Sequence, residues 1–133
     1  MLPKARSMLL ALCLVSGIVT AAPAQHPLLL VRGSRLLVNA TVNGHPVRAL
    51  LDSAAEVTLL DRRFAQSLNI HGGTQATGHG SGKDAFAATL IEGVDIEAAG
   101  VALRNQTVAV TDLGDVGRRL LHAPLPMILG REL

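Results

Sequence analysis

Between Leu36 and Asn43 the chain alternates: Leu36, Val38, Ala40 and Val42 interleave with Leu37, Asn39, Thr41 and Asn43. A period of two is that of a half-buried strand. Asn43-Gly44 follows, two residues that tolerate positive φ, and predicts a tight hairpin turn. The return strand runs from Val47 to Leu51, with Val47, Ala49 and Leu51 on one face. Leu60, Phe64 and Leu68, four apart, predict a helix over 61–68. Asp61 suits its first turn, and Gly72-Gly73 ends the segment. Thr74 to Ala76 and Ala85 to Glu92 predict strands around a polar, Gly-rich stretch, Thr77 to Asp84. Val94 to Glu97 and Val101 to Arg104 predict short strands around Ala98-Ala99-Gly100, and Thr107 to Thr111 an apolar one. Asp112 to Pro126 reads as a long connection, with Gly114, Gly117, Pro124 and Pro126, before a buried-type strand at Met127 to Leu129. Many strands and one short helix predict an all-β, barrel-like domain.

The first residues follow a different pattern. Lys4 and Arg6 precede a run from Met8 to Ala22 that is apolar or small throughout. The run is short for a membrane span. Ala22-Pro23-Ala24 supplies an A-x-A-like cleavage site. Residues 1–24 are therefore expected to be a secretory signal peptide, leaving a domain over 25–133 that is exported to a periplasm or secreted. Cys13, the single cysteine, follows Leu12, which is too large for a typical lipid-attachment site. Loss of Lys4 and Arg6 leaves ten basic residues against ten acidic ones. That balance offers no basic stripe for nucleic acid or anionic lipid. Tyr and Trp are absent, and only Phe64 and Phe86 remain as aromatic platforms. The core must then be built from Leu, Val, Ile and Ala. No membrane contact beyond the signal segment and no disulfide are expected.

The chemistry concentrates at the end of the second strand, where Asp52 stands between Leu51 and Ser53. A carboxylate at the end of an apolar strand needs a partner or a purpose. One purpose is acid/base chemistry. Another is helix capping, since Ser53-Ala54-Ala55-Glu56 fits the S-x-x-E capping box. Other constellations are weaker. Gly78 to Lys83 fails as a phosphate loop, because no Ser or Thr follows Lys83. His26, His45, His71, His79 and His122 lack metal-ligand spacing, so neither metal nor cofactor is expected. No Gly-x-Ser-x-Gly elbow is present. Asn39-Ala40-Thr41 and Asn105-Gln106-Thr107 are glycosylation sequons, meaningful only in a host with that machinery.

Leu50-Leu51-Asp52-Ser53-Ala54-Ala55 resembles the Leu-Leu-Asp-Thr/Ser-Gly-Ala/Ser signature of retropepsin-like aspartic proteases. Val42-Asn43-Gly44-His45-Pro46-Val47 is similar to the hairpin that precedes it. Pro126-Met127-Ile128-Leu129-Gly130-Arg131-Glu132-Leu133 resembles the second motif, an apolar strand followed by Ile-Leu-Gly and often Arg. The two motifs stand in the family's order and at about its spacing, over roughly Leu36 to Leu133.

The resemblance implies an acid-protease barrel with one lobe per chain and one Asp per subunit. No second Asp-Ser/Thr-Gly-like motif is present, so Asp52 would meet its symmetry mate in a homodimer. Asp52 is then the catalytic residue and Ser53 the hydrogen-bonding partner across the dimer. Ala54 and Ala55 complete the loop, with the Ala54 N–H beside the carboxylate. Gly78, Gly80 and Gly82 belong to a β-hairpin flap over a peptide substrate. Ile128, Leu129 and Gly130 pack behind the Asp loop. Two features depart from the family pattern: Ala54 replaces its usual Gly, and the family's C-terminal helix and strand do not follow Leu133. Both favour a rival reading, a non-catalytic retropepsin-like binding or assembly module. A third option is a small β-domain in which Asp52 is only a cap.

Overall fold

The computed structural model describes residues 29–80 and 85–133. The predicted signal segment, 1–24, and the tip of the Gly-rich stretch, including Gly82, lie outside the described residues. The chain begins with a strand pair, β1 (Leu29–Arg32) and β2 (Arg35–Val42), and β2 turns into β3 (His45–Leu51). At the turn Asn43 has φ 48° and Gly44 φ 79°, the double positive φ that an Asn-Gly hairpin supplies. β4 (Leu59–Asp61) leads into α1 (Arg62–Ser67). Asp61 caps α1 by accepting the Arg63 N–H at 3.0 Å, and its other oxygen accepts the Leu113 N–H at 3.0 Å. A hairpin follows, β5 (Thr74–His79) and β6 (Ala85–Ala98), and then β7 (Val101–Thr111), α2 (Gly114–Leu121) and β8 (Met127–Leu129).

The strands lie in the order β1-β2-β3-β8-β4-β7-β6-β5, and β2 also pairs with β6. That extra pairing, Ala40 to Ala98 through Val42 to Ile96, closes six strands into a barrel and leaves β1 and β5 as edges. β8 lies between β3 and β4, parallel to β3 and antiparallel to β4. The loop that joins β3 to β4, residues 52–58, therefore straddles β8.

Alternation decides what fills the barrel. Val38, Ala40, Val42, Ala49, Leu60, Val108, Met127 and Leu129 turn inward and join the main core. The neighbouring positions Leu37, Leu50 and Ile128 face the other way, into a second buried cluster with Leu113, Leu121 and Leu125. α2 covers that outer cluster. It is the main difference from the sequence expectation, which placed a long connection there and only one short helix in the fold. Gly114 and Gly117 weaken the local helix signal. Gly117 is required by packing: a Cβ there would lie 2.6 Å from the Ala123 carbonyl oxygen.

Three smaller expectations also change. The short strands predicted from Ala85 to Arg104 and at Thr107 are parts of two long ones, β6 and β7, with register shifts between Ile91 and Ile96. Gly93 (φ 82°) and Asn105 (φ 54°) absorb the irregularity without ending the strands. The alternation puts Leu51 on the inner face with Ala49; in the structure Leu51, the last residue of β3, is 36% exposed although still paired with Leu129. The Ser53-to-Glu56 capping box starts no helix, since the next helical residue is Arg62. The capping account of Asp52 is thereby removed.

Candidate active site

The loop 52–58 has neither helix nor strand hydrogen bonds of its own, so its backbone must find partners elsewhere. Most of them lie on residues 129–132. The Asp52 N–H donates to the Leu129 carbonyl at 3.0 Å, extending the hydrogen bonding to β8 one residue past Leu51. The Arg131 N–H donates to the Ala55 carbonyl at 3.0 Å. The Gly130 N–H donates to Thr58 Oγ1 at 3.1 Å. Thr58 in turn donates to the Glu132 carboxylate twice, from its N–H at 2.9 Å and its hydroxyl at 3.2 Å.

Within the loop, Asp52 starts a tight turn. Its carbonyl accepts the Ala55 N–H at 3.1 Å, and its Oδ1 accepts the Ala54 N–H at 3.0 Å. The side-chain bond is an Asx turn, which fixes the carboxylate against its own loop. Oδ2 accepts no hydrogen bond among the described residues. Asp52 is half-buried, while Ser53 and Ala54 are exposed. Ala54 is not among the residues with positive φ, so its methyl group imposes no backbone strain here.

Gly130 lies where β8 meets the loop. A Cβ on it would lie 2.6 Å from Glu132 Oε2, 2.9 Å from the Val57 carbonyl carbon and 3.0 Å from the Ala55 oxygen. Two of those neighbours are backbone, so the close approach needs glycine. Ile128 pairs with both Leu50 and Leu59, and Leu129 with Leu51. Asp52, Ser53, Ala54, Ala55, Ile128, Leu129 and Gly130 are thus brought into one neighbourhood.

Gly78 and Gly80 belong to a different part of the sheet. Gly78 is a strand residue of β5, opposite Phe86 on β6, and Gly80 follows the strand's end. A Cβ on Gly78 would lie 2.3–2.8 Å from atoms of the Phe86 ring, so the ring occupies the space over the glycine. Gly82 is outside the described residues.

Two residues of this neighbourhood, Thr58 and Glu132, were not singled out in the sequence. They are 74 positions apart, and neither carries a local signal of its partner. Among the described residues no three His, Cys, Asp or Glu side chains are grouped to hold a metal ion. No helix among them is long and apolar enough to cross a membrane.

Known proteins are similar to this chain in sequence and in fold. A family model described as aspartyl protease matches residues 38–133, from β2 through the Asp52 loop to Gly130 and beyond. DNA damage-inducible protein 1 of Yarrowia lipolytica is 34% identical over 68 residues, covering 47% of this chain and 17% of that relative. The match thus involves a small part of the relative's length. The crystal structure of a retropepsin-like aspartic protease from Rickettsia conorii has a TM-score of 0.56 at 20% identity, over 75% of this chain and 70% of that one. The fold is therefore retropepsin-like, with one lobe in this chain, and by the extent of the family match the chain belongs to the aspartyl protease family.

Proposed function

We propose that the protein is an exported aspartic endopeptidase that works as a homodimer without a cofactor. Asp52 of each subunit is the catalytic residue. The observation that carries the reading is the placement of Asp52. It stands at the end of β3, tied to Leu129 through its backbone and to Ala54 through Oδ1, in a chain of the aspartyl protease family. Two such carboxylates a hydrogen bond apart hold one proton between them. The ionised member takes a proton from water as the water attacks the peptide carbonyl. The protonated member donates to the carbonyl oxygen, and collapse of the tetrahedral intermediate delivers a proton to the leaving amine.

The other residues take supporting roles in this reading. Ser53, exposed beside Asp52, hydrogen-bonds across the dimer. Ala54 supplies an N–H to the carboxylate, and Ile128, Leu129 and Gly130 back the loop. The β5–β6 hairpin, with Gly78, Gly80 and Gly82, is the flap over an extended peptide, which binds in the cleft between subunits as an added strand. Export rests on the charged, apolar and small-residue order of residues 1–24.

A second reading, a non-catalytic binding or assembly module, is favoured by one feature: Ala54 stands where the family carries Gly. Peptide-library cleavage at several pH values, beside Asp52→Asn and with the mass in solution recorded, separates the two. The endopeptidase reading expects a dimer that is more active at acid pH and loses about 10²–10⁴-fold in kcat in the folded Asp52→Asn variant. A folded dimer that cleaves nothing makes the protein a binding module.

A further inference from the structure

Thr58 is only 2% exposed, and it carries two donors into the loop's base: its N–H and its hydroxyl. Gly130 fixes how the hydroxyl is used. Its N–H points at Thr58 Oγ1, which must accept, so the hydroxyl hydrogen is directed elsewhere. Glu132 receives it on Oε2 and receives the Thr58 N–H on Oε1. The result is a one-way relay from the Gly130 N–H through the Thr58 hydroxyl to a carboxylate, with a second charge-assisted bond beside it. Glu132 is the acceptor for both Thr58 donors. Without it they are left at a buried residue, where unpaired donors are costly.

The relay spans the gap that matters for Asp52. Thr58 ends the loop that Asp52 begins, and Gly130 follows Leu129, the residue that accepts the Asp52 N–H. Glu132 therefore sets the distance between the loop and β8. The packing has no slack, since a methyl group on Gly130 would strike both Glu132 and the loop backbone. The other side-chain link between these segments, Arg131 Nη2 to Glu56 Oε1 at 3.5 Å, is too exposed to serve as the anchor.

We infer that Glu132 is a positioning residue: its carboxylate, acting through Thr58 and Gly130, holds the Asp52 loop against β8. Its effect on turnover rests on Asp52 being the catalytic residue; its effect on the loop does not. The test combines steady-state kinetics with amide hydrogen exchange of Glu132→Ala, Glu132→Gln and Thr58→Ser. In Glu132→Ala the Asp52 and Ala55 amides should exchange about tenfold faster or more, for the loss of a buried acceptor, while the barrel amides of Ala40 and Val110 do not change. kcat per folded dimer should fall about tenfold or more with KM within about twofold, the mark of a misplaced reacting group. Thr58→Ser keeps both donors and should stay near the parent, with Glu132→Gln between.

Unchanged exchange at Asp52 and Ala55 in Glu132→Ala overturns the inference. So does equal acceleration at Ala40 and Val110, which marks a general loss of stability. If Glu132→Ala does not fold, Glu132→Gln is read on the same amides with the same outcomes. A parent protein that cleaves nothing, yet whose Asp52 amide is loosened by Glu132→Ala, upholds the positioning role and removes the peptidase reading. A parent that cleaves, with kcat and exchange unmoved by the variant, does the reverse.

Discussion

The Asp52 loop and the β5–β6 hairpin both carry small residues and little regular core, yet they are held in different ways. The loop is clamped. Residues 52, 55 and 58 are each bonded to residues 129–132, and the strands on either side bury Leu60, Met127 and Leu129 completely. The hairpin is hung from one edge. Among the described residues β5 pairs only with β6, and no residue of β5 is buried. Its side-chain anchors are a Gln75-to-Thr89 bond at 3.0 Å and the Phe86 ring over Gly78. A group that must stay within a fraction of an ångström of its target needs the first construction. In the proposed function the hairpin is a cover that admits and releases a peptide, and such a cover needs the second.

Variants can break this contrast. The largest effect is expected for Leu129→Ala, which removes a fully buried side chain at the centre of the clamp and should cost about 2–5 kcal/mol in denaturant unfolding. Gly78→Ala should cost far less, about 1 kcal/mol, because its methyl meets the far end of a Phe86 ring that can move. In peptide cleavage it should raise KM more than it lowers kcat, and adding Phe86→Ala should relieve the clash in a double-mutant cycle. If Gly78→Ala destabilises as strongly as Leu129→Ala, the hairpin is part of the clamp and the contrast fails. Arg131→Ala sharpens it from the other side. Arg131 reaches Glu56 at 3.5 Å across solvent, so thermal unfolding should register only a few tenths of a kcal/mol, less at high salt.

What was legible in the sequence follows the same division between local and distant causes. The β2–β3 hairpin was readable because Asn43-Gly44 states its turn chemistry in two adjacent residues. α1 was readable from Leu60, Phe64 and Leu68, and β8 from its unbroken apolar run. The paired leucines Leu36-Leu37 and Leu50-Leu51 blurred the alternation, since Leu37 and Leu50 serve the outer cluster under α2. α2 itself was hidden by Gly114 and Gly117, and the need for Gly117 appears only where Ala123 and Leu125 lie against the helix. Asp52 was visible through its neighbours in sequence. Thr58 and Glu132 were not, because a bond across 74 residues leaves no mark on either end.

The threading of β8 between β3 and β4 also has a consequence for timing. A growing chain makes Asp52 early, but the acceptor for its N–H is Leu129 and the clamp on its loop is Glu132. Contacts of such sequence separation form late, after the entropy of closing a long loop has been overcome. The barrel's local hairpins can assemble while the Asp52 loop is still without its partners. A chain in which β8 has not yet docked therefore holds the acid but not its setting, and the Asp52 loop gains its partners only when β8 enters between β3 and β4.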